Sequence, residues 1–289
     1  VDFALFRHRL SGTIEYYNKY SVDLLAAING SPTQGFGYTT LMTNNGKMVN
    51  RGVEITLSGE IIRQKDFSWN ASLLYAFNRN KVKHISVQPS LWDSRISMPT
   101  SYPMVGKPLY GIYAYKWAGL NENGDPQVYD AENNVTSGPA RDYHALVYCG
   151  TTVPIHNASL TNVLRYKGLE FSAMLILDAG HKLRSSNIPS INMSNGRITS
   201  TAKGIVDRWT QPGDVTDVPR LLFSNDTENF NTHRTELYRY SDLFVYDASN
   251  IRLSNISLAY RVPAHWCKKI SLSGARLQFN VCLLYTSPS

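Results

Sequence analysis

The chain has 289 residues, 43% hydrophobic but only 18% charged, with 18 Tyr, 10 Phe and 5 Trp. Average soluble chains carry roughly a quarter charged residues, so the composition leans towards a wall that faces lipid on one side and neutral polar groups on the other. The net charge of +7 does not indicate nucleic-acid binding, because Lys and Arg are scattered and the densest set, Arg79, Lys81 and Lys83, is short.

Three widely separated cysteines, Cys149, Cys267 and Cys282, give neither a disulfide framework nor a CxxC site. The chain contains no apolar run of the length a membrane helix needs, and Val1-Asp2-Phe3 does not open a signal peptide.

Taken along the chain, Gly12–Lys19 is a first candidate strand, followed by a predicted loop over Gly30–Asn50. From Arg51 to Ile62 the period is two, with Val53, Ile55, Leu57 and Ile61 on one face and Glu54, Thr56, Ser58 and Glu60 on the other. After Gln64-Lys65-Asp66 it resumes with Phe67, Trp69, Ala71, Leu73, Tyr75 and Phe77 against Ser68, Asn70, Ser72 and Asn78, predicting a long antiparallel hairpin. Each arm runs to about ten residues, which suits a tilted strand crossing a bilayer and exceeds the usual soluble strand.

Ser86–Gly106 reads as a second loop and Leu109–Ala118 as a further strand. A second hairpin joins Asn157–Tyr166 to Leu169–Ala179 through Lys167-Gly168. Leu183–Arg239 is a third long loop without a sustained period, holding at most a short helical turn near Ala202–Trp209. A third hairpin joins Ile251–Val262 to Ile270–Val281. Short turns alternating with long loops are the connection pattern of an outer-membrane barrel. The expected fold is therefore all-β: an antiparallel transmembrane β-barrel, here a partial one, an open curved sheet of long hairpins with long extracellular loops.

Several stretches carry a family resemblance. Asn45-Gly46-Lys47-Met48-Val49-Asn50-Arg51-Gly52-Val53-Glu54-Ile55 is followed by Phe67-Ser68-Trp69-Asn70 and Asn78-Arg79-Asn80-Lys81-Val82. Gly106-Lys107-Pro108-Leu109-Tyr110-Gly111 leads to Gly119-Leu120-Asn121-Glu122-Asn123-Gly124-Asp125-Pro126. Asp207-Arg208-Trp209-Thr210 precedes Asp217-Val218-Pro219-Arg220, and Asp247-Ala248-Ser249-Asn250-Ile251-Arg252-Leu253-Ser254-Asn255-Ile256-Ser257-Leu258 is the most specific of the set. In this order they resemble the SusC/RagA family of TonB-dependent transporters, across most of residues 1–281. One departure is Asn250, where the family more often has an aromatic residue.

The resemblance implies an outer-membrane parent with a barrel of about 22 strands that imports oligosaccharides or peptides. It implies a SusD-like surface lipoprotein as lid and a TonB complex acting through an amino-terminal plug upstream of Val1. On this reading residues 1–281 are part of the barrel wall, truncated at both ends, and residues 282–289 resemble a non-native tail. Alone, such a wall is expected neither to close nor to transport, since open sheet edges are not tolerated against lipid.

No catalytic step is expected. The seven histidines lack an HExxH or a metal-ligand spacing, and GxSxG, Walker A and Rossmann patterns do not occur. No cofactor or metal is expected either: Pro212-Gly213-Asp214-Val215-Thr216-Asp217 lacks an EF-hand register and reads as turn chemistry. Asn-x-Ser/Thr triplets such as Asn70-Ala71-Ser72 carry no glycosylation meaning in a bacterial barrel strand. The candidate substrate-binding residues are loop aromatics, Trp92, Tyr102, Trp209, Tyr238 and Tyr240, because flat rings stack on sugar or peptide faces. The competing use of such rings is girdle or loop packing. The rival architecture is a secreted or cell-surface carbohydrate-binding β-sandwich, which calls for shorter strands and more surface charge.

Overall fold

The computed structural model describes residues 1–29, 40–85, 94–138, 143–193, 202–223, 232–269 and 271–282. Its frame is one antiparallel sheet of eight strands: β1 (Asp2–Leu5), β2 (Leu10–Asn29), β3 (Thr40–Arg63), β4 (Phe67–His84), β5 (His156–Tyr166), β6 (Leu169–Ala179), β7 (Asn250–Arg261) and β8 (Arg276–Cys282). They pair in chain order, each with its sequence neighbours, and the sheet is open, with β1 and β8 at its edges. A consecutive meander of this kind builds the up-and-down barrels of outer membranes. Among the described residues the other sheets have only two or three strands, too few for the second half of a β-sandwich, so that alternative does not describe this chain.

The wall strands are longer than the periodicity indicated. β2, β3 and β4 run 20, 24 and 18 residues, so Thr40–Asn50, read from sequence as loop, is the first half of β3. That stretch holds Asn44, Asn45 and Asn50 and lacks apolar alternation, because it lies beyond the membrane band where neither face is lipid-covered. Asn45-Gly46-Lys47-Met48 even breaks the register, with shifts against both neighbours.

Register makes the sheet two-faced. One row across it reads Ile14, Ile55, Tyr75, Ala158, Leu177, Ile251, and another Gly12, Leu57, Leu73, Leu160, Leu175, Leu253. The intervening row, on the opposite face, reads Thr13, Thr56, Leu74, Ser159, Ile176, Arg252, and the next Ser11, Ser58, Ser72, Thr161, Met174, Asn255. Large apolar side chains such as Ile14, Leu175, Ile251 and Phe279 stay exposed on the first face. A contiguous exposed apolar surface of this extent requires an apolar surrounding.

Aromatics border the band. At the tight-turn end, Trp69, Phe171 and Phe279 lie in one row and Phe67, Tyr166 and Tyr260 in the next; at the long-loop end come Tyr75, Phe77, His156 and Tyr16. From Phe67 to Phe77 the strand climbs about 34 Å at ~3.4 Å per residue, or roughly 25 Å along the normal at a barrel tilt of about 35–45°. That matches the apolar height of a membrane barrel. Two polar groups on the apolar face find partners: the Trp69 indole N–H donates to Asn162 Oδ1 at 3.1 Å, and the Tyr75 hydroxyl meets His156 Nδ1 at 2.8 Å.

Two sequence expectations are corrected locally. Ile61 is the extra residue of a bulge between Glu60 and Ile62, so Ile62, not Ile61, stands opposite Trp69 on the apolar face. The last hairpin is not continuous from Ile270: a short helix, Ala264–Lys269, fills the connection, and β8 begins at Arg276. This segment carries Pro263 before a helical turn, which breaks strand pairing where no neighbour demands it. Of residues 282–289, set aside as a tail from sequence, Cys282 is the last residue of β8 and pairs opposite Asn255, and 283–289 lie outside the described residues.

Gly52, in the Asn-Arg-Gly-Val-Glu stretch, has a steric reason. A Cβ there would overlap the Tyr17 ring and the Phe77 carbonyl oxygen, since Tyr17 lies across the glycine of the neighbouring strand. Gly52→Val is expected to block pairing of β3 with both neighbours, and loss of the heat-modifiable band on an SDS gel of the intact protein would register it.

Candidate functional site: the loop layer

The wall's connections are unequal. β3 joins β4 through Gln64–Asp66 and β5 joins β6 through Lys167-Gly168, whereas at the other end β4 reaches β5 only after residues 85–155, and β6 reaches β7 after 180–249. These two excursions are not independent loops. They interlock into one layer with its own core of Ile96, Tyr113, Tyr115, Val128, Leu146 and Leu237, beside a second cluster of Ile191, Tyr238 and Phe244.

The first excursion supplies a pair of strands, Gly111–Tyr115 and Leu146–Thr151, and a small sheet, Trp117–Leu120, Pro126–Tyr129 and Val135–Thr136. The expected single strand Leu109–Ala118 is thus two short ones in the loop layer rather than part of the wall. The second excursion supplies the pair Lys182–Arg184 and Val245–Asp247, a parallel pair Asn192–Met193 with Leu222–Phe223, a 3-10 turn at Lys203–Asp207 and a helix at Thr232–Arg239. The 3-10 turn falls where the sequence indicated one. The helix was missed, since Thr-His-Arg-Thr-Glu-Leu-Tyr-Arg, of which the described side chains bury Leu237, Tyr238 and Arg234, shows too little apolar period.

Polar contacts close the two excursions on each other. Arg184 donates to the carbonyls of Tyr113 at 2.6 Å and Ser241 at 3.2 Å, and the Tyr115 N–H donates to the Tyr240 carbonyl at 3.0 Å. Trp117 is held twice, its backbone N–H donating to Asp242 Oδ1 at 3.0 Å and its indole N–H to Asp217 Oδ1 at 2.9 Å.

The strongest joint is a carboxylate between two guanidiniums. Asp125 accepts from Arg220 at 3.0 and 2.8 Å and from Arg234 at 3.1 Å. The Arg234 side chain is 4% exposed and also donates to the carbonyls of Ile191 and Arg220 and to Asn192 Oδ1. Burial works against its charge and lowers its pKa, and Asp125 opposes that shift.

Two sequence motifs that looked separate are therefore partners. Asn121-Glu122-Asn123-Gly124 forms a turn in which Asn121 Oδ1 accepts from the N–H groups of Asn123 and Asp125, and Gly124 takes φ +74°. The Trp209 ring lies on that glycine, in space a Cβ would need, and the Arg220 N–H donates to the Gly124 carbonyl at 3.0 Å. Pro126 and Pro219 are fully buried beside the joint. One excursion's turn thus clasps the other's Trp–Pro–Arg segment, across about 95 residues of sequence.

The five candidate aromatics fare differently. Tyr238 is 2% exposed, edge-on to Phe244 at 4.9 Å and near Trp117, with its phenol pKa pushed up by burial, so its ring is committed to packing and offers no stacking face. Trp209 is half-buried on Gly124. The guanidiniums of Arg184 and Arg239 stand over the Tyr240 ring, at 5.6 and 5.7 Å from its centroid. Tyr102 is half-buried between Ser101 and Pro103, two of the residues that line an apolar cleft of about 450 Å³ with Leu24, Met48, Val82 and Leu109. Trp92 lies outside the described residues.

The segment read as a turn rather than a cation site organises itself. Asp214 Oδ2 accepts from the Thr210 N–H and hydroxyl, each at 2.8 Å, and from the Gln211 N–H at 3.0 Å, which holds its carboxyl below the usual range. Because the folded pKa is depressed, this contribution is present above about pH 4 and fades only as pH falls through the lower folded value. Asp214→Asn should abolish that dependence, visible as faster hydrogen exchange of the Thr210 and Gln211 amides at neutral pH.

No protein-family model matches the sequence. Curated relatives do. Two TonB-dependent receptors of Formosa agariphila are 25% and 26% identical over 295 and 293 residues, each covering 96% of this chain, and the TonB-dependent receptor SusC of Bacteroides thetaiotaomicron is 23% identical over 92% of it. The chain's homologues are TonB-dependent receptors. It spans about 28% of the length of the Formosa receptors and 26% of SusC. Among solved structures, the RagAB peptide transporter superposes with a TM-score of 0.73 over 97% of this SusC/RagA-like chain and 31% of that chain, at 22% identity, which establishes the fold. The RagAB peptide importer in its open-open state gives 0.71 over 97% of this chain and 30% of that one. The two-faced sheet is thus a portion of an outer-membrane barrel wall, and the SusC/RagA-like loop layer stands at its long-loop end. No described helix is long and apolar enough to cross a membrane, which says nothing of the strands.

Proposed function

We propose that this chain is part of a TonB-dependent active transporter that imports oligosaccharides or peptides across the outer membrane together with a SusD-like surface lipoprotein. The observation that carries the reading is the register: one continuous apolar face about as tall as a bilayer core, a polar opposite face, and a folded loop layer at one end only. The wall would line the channel with Ser, Thr, Asn and Arg, and the loop layer would meet the substrate and the lipoprotein lid.

Residues 1–281 would belong to the barrel, and further strands would pair with the outer edges of β1 and β8, which are unpaired in the sheet. TonB would engage a plug outside this chain. The chain would contribute no catalytic step; its relatives are receptors and transporters. Tyr102, Trp209 and Tyr240 stand as the substrate-contacting candidates, with the cleft beside Tyr102 as the place for an apolar substrate group.

The test is made on the full-length gene, expressed in an outer membrane with its neighbouring lipoprotein. A boiling-dependent shift on an SDS gel, with co-purification of the lipoprotein and uptake of a labelled glycan or peptide, is the expected result. A soluble, unshifted product would overturn the reading.

A further inference from the structure

Arg79, Lys81 and Lys83 are too few for a nucleic-acid surface, yet the fold gives them company that their sequence spacing does not show. Arg51 stands directly opposite Arg79 in the ladder, and Asn18 opposite Arg51; Val49, two residues from Arg51, stands opposite Lys81. All three cations share the face of Val53 and Phe77, two residues along, and so belong to the lipid side of the wall. All three are exposed.

Their height is equally defined. They begin one step above the aromatic row of Tyr16, Phe77 and His156, at the long-loop end, where the apolar band gives way to headgroups. The loop layer borders them at Gly106 and Tyr148 but leaves all three exposed. It closes over the other face and the free edge of β4, where Asn80 Oδ1 accepts from the Leu109 N–H and Val82 exchanges backbone hydrogen bonds with Gly106 and Lys107.

Two like charges directly opposite each other destabilise a strand pair. Here no carboxylate answers them: Arg51 donates only to the neutral Asn18 Oδ1 at 3.2 Å, and among the described residues no ion pair involves Arg51, Arg79 or Lys81. The carboxylates nearest along the strands, Glu15 on β2 and Glu54 on β3, stand opposite each other an odd number of residues away and so on the other face, and Asp23 lies beyond Tyr20 at a register shift. A row of cations of this kind, facing outward at the extracellular interface, is complementary to a multiply charged anion held at headgroup depth.

We propose that Arg51, Arg79 and Lys81 form a lipid-facing binding site for the phosphate groups of a phosphorylated glycolipid in the outer leaflet, with Asn18 and Tyr20 contacting its sugar. The guanidiniums of Arg51 and Arg79 would clamp one phosphate between adjacent strands, and the acyl chains would descend over Val53, Ile55 and Phe77. Anion binding would relieve the Arg51–Arg79 repulsion, so the lipid would also stabilise the β3–β4 pair.

The proposal rests on the outer-membrane reading, and the test separates the two. The full-length protein is purified in detergent, its heat-modifiability checked, and lipid adducts counted by native mass spectrometry after adding lipid A, enzymatically dephosphorylated lipid A, or inorganic phosphate alone. Lipid A is expected to bind, dephosphorylated lipid A and inorganic phosphate to bind far less, and R51Q/R79Q/K81Q to weaken lipid A on the order of 100-fold, from about fivefold per cation near a membrane surface. The charge-conserving R51K/R79K/K81R should retain most of the affinity, and Arg165→Gln, at the tight-turn end, should leave it unchanged. A heat-modifiable triple Gln variant that binds lipid A as tightly as wild type, or wild type that binds both lipid A forms equally, overturns this proposal alone. If the triple Gln variant does not assemble, the phosphate dependence in wild type decides. A wild-type protein that is soluble and unshifted overturns the transporter reading and this one with it.

Discussion

Asp125→Ala is expected to unlock the loop layer while leaving the wall intact. Among the described residues the carboxylate is the only acidic group paired with Arg220 and Arg234, and the Arg234 side chain is 4% exposed, so its loss leaves a buried guanidinium without that counter-charge. Breaking one partner of such a pair costs roughly 3–5 kcal/mol, enough to separate excursions that bury a modest core. The intact protein should still shift on boiling, because the wall does not use Asp125, but limited proteolysis should now cut within residues 202–223, and uptake should fall with it. Asp125→Asn retains an acceptor and should do less damage. If the alanine variant resists protease as the wild type does, the joint is not what holds the layer.

A charge placed on one face of β5 should be fatal and on the other tolerated. Leu160 lies mid-band in the row with Leu73 and Leu175, whereas Thr161, the next residue, lies with Ser72 and Ser58 on the polar side. Leu160→Arg is expected to lose about 2–4 kcal/mol of stability in lipid, the cost of a cation at the bilayer midplane, and Thr161→Arg close to none. Urea unfolding in lipid vesicles measures both. Equal effects at the two positions would sink the two-faced wall, since alternation is a property of every strand residue.

Much of the wall was legible because it obeys a local rule. The alternation of Val53, Ile55 and Leu57 with Glu54, Thr56 and Ser58 is set by lipid on one side and polar surroundings on the other, and it appears in sequence as period two. Where that rule lapses, legibility lapsed too. Thr40–Asn50 is strand without alternation, held by pairing to β2 and, from Lys47 on, to β4, and the bulge at Ile61 slips the face by one residue without any composition signal. The helix Thr232–Arg239 is held by Leu237 and Tyr238 in the loop core and by Arg234 reaching Asp125 across 109 residues, which propensity cannot register.

For the candidate site, residue type pointed to the loop aromatics but not to their fates. Trp209 rests on Gly124 and Tyr238 is buried, so the shared reason for a ring in those loops includes closing one excursion upon the other. The amino-acid sequence by itself determined that this is an antiparallel membrane wall with long connections at one end, because strand length and face alternation are written residue by residue. Only the tertiary structure decided that Asn-Gly-Asp-Pro and Trp…Pro-Arg are two halves of one clasp, and that Arg51 faces Arg79 on the lipid side. Those are long-range pairings, set by register and by burial of charge, and neither leaves a period in the chain.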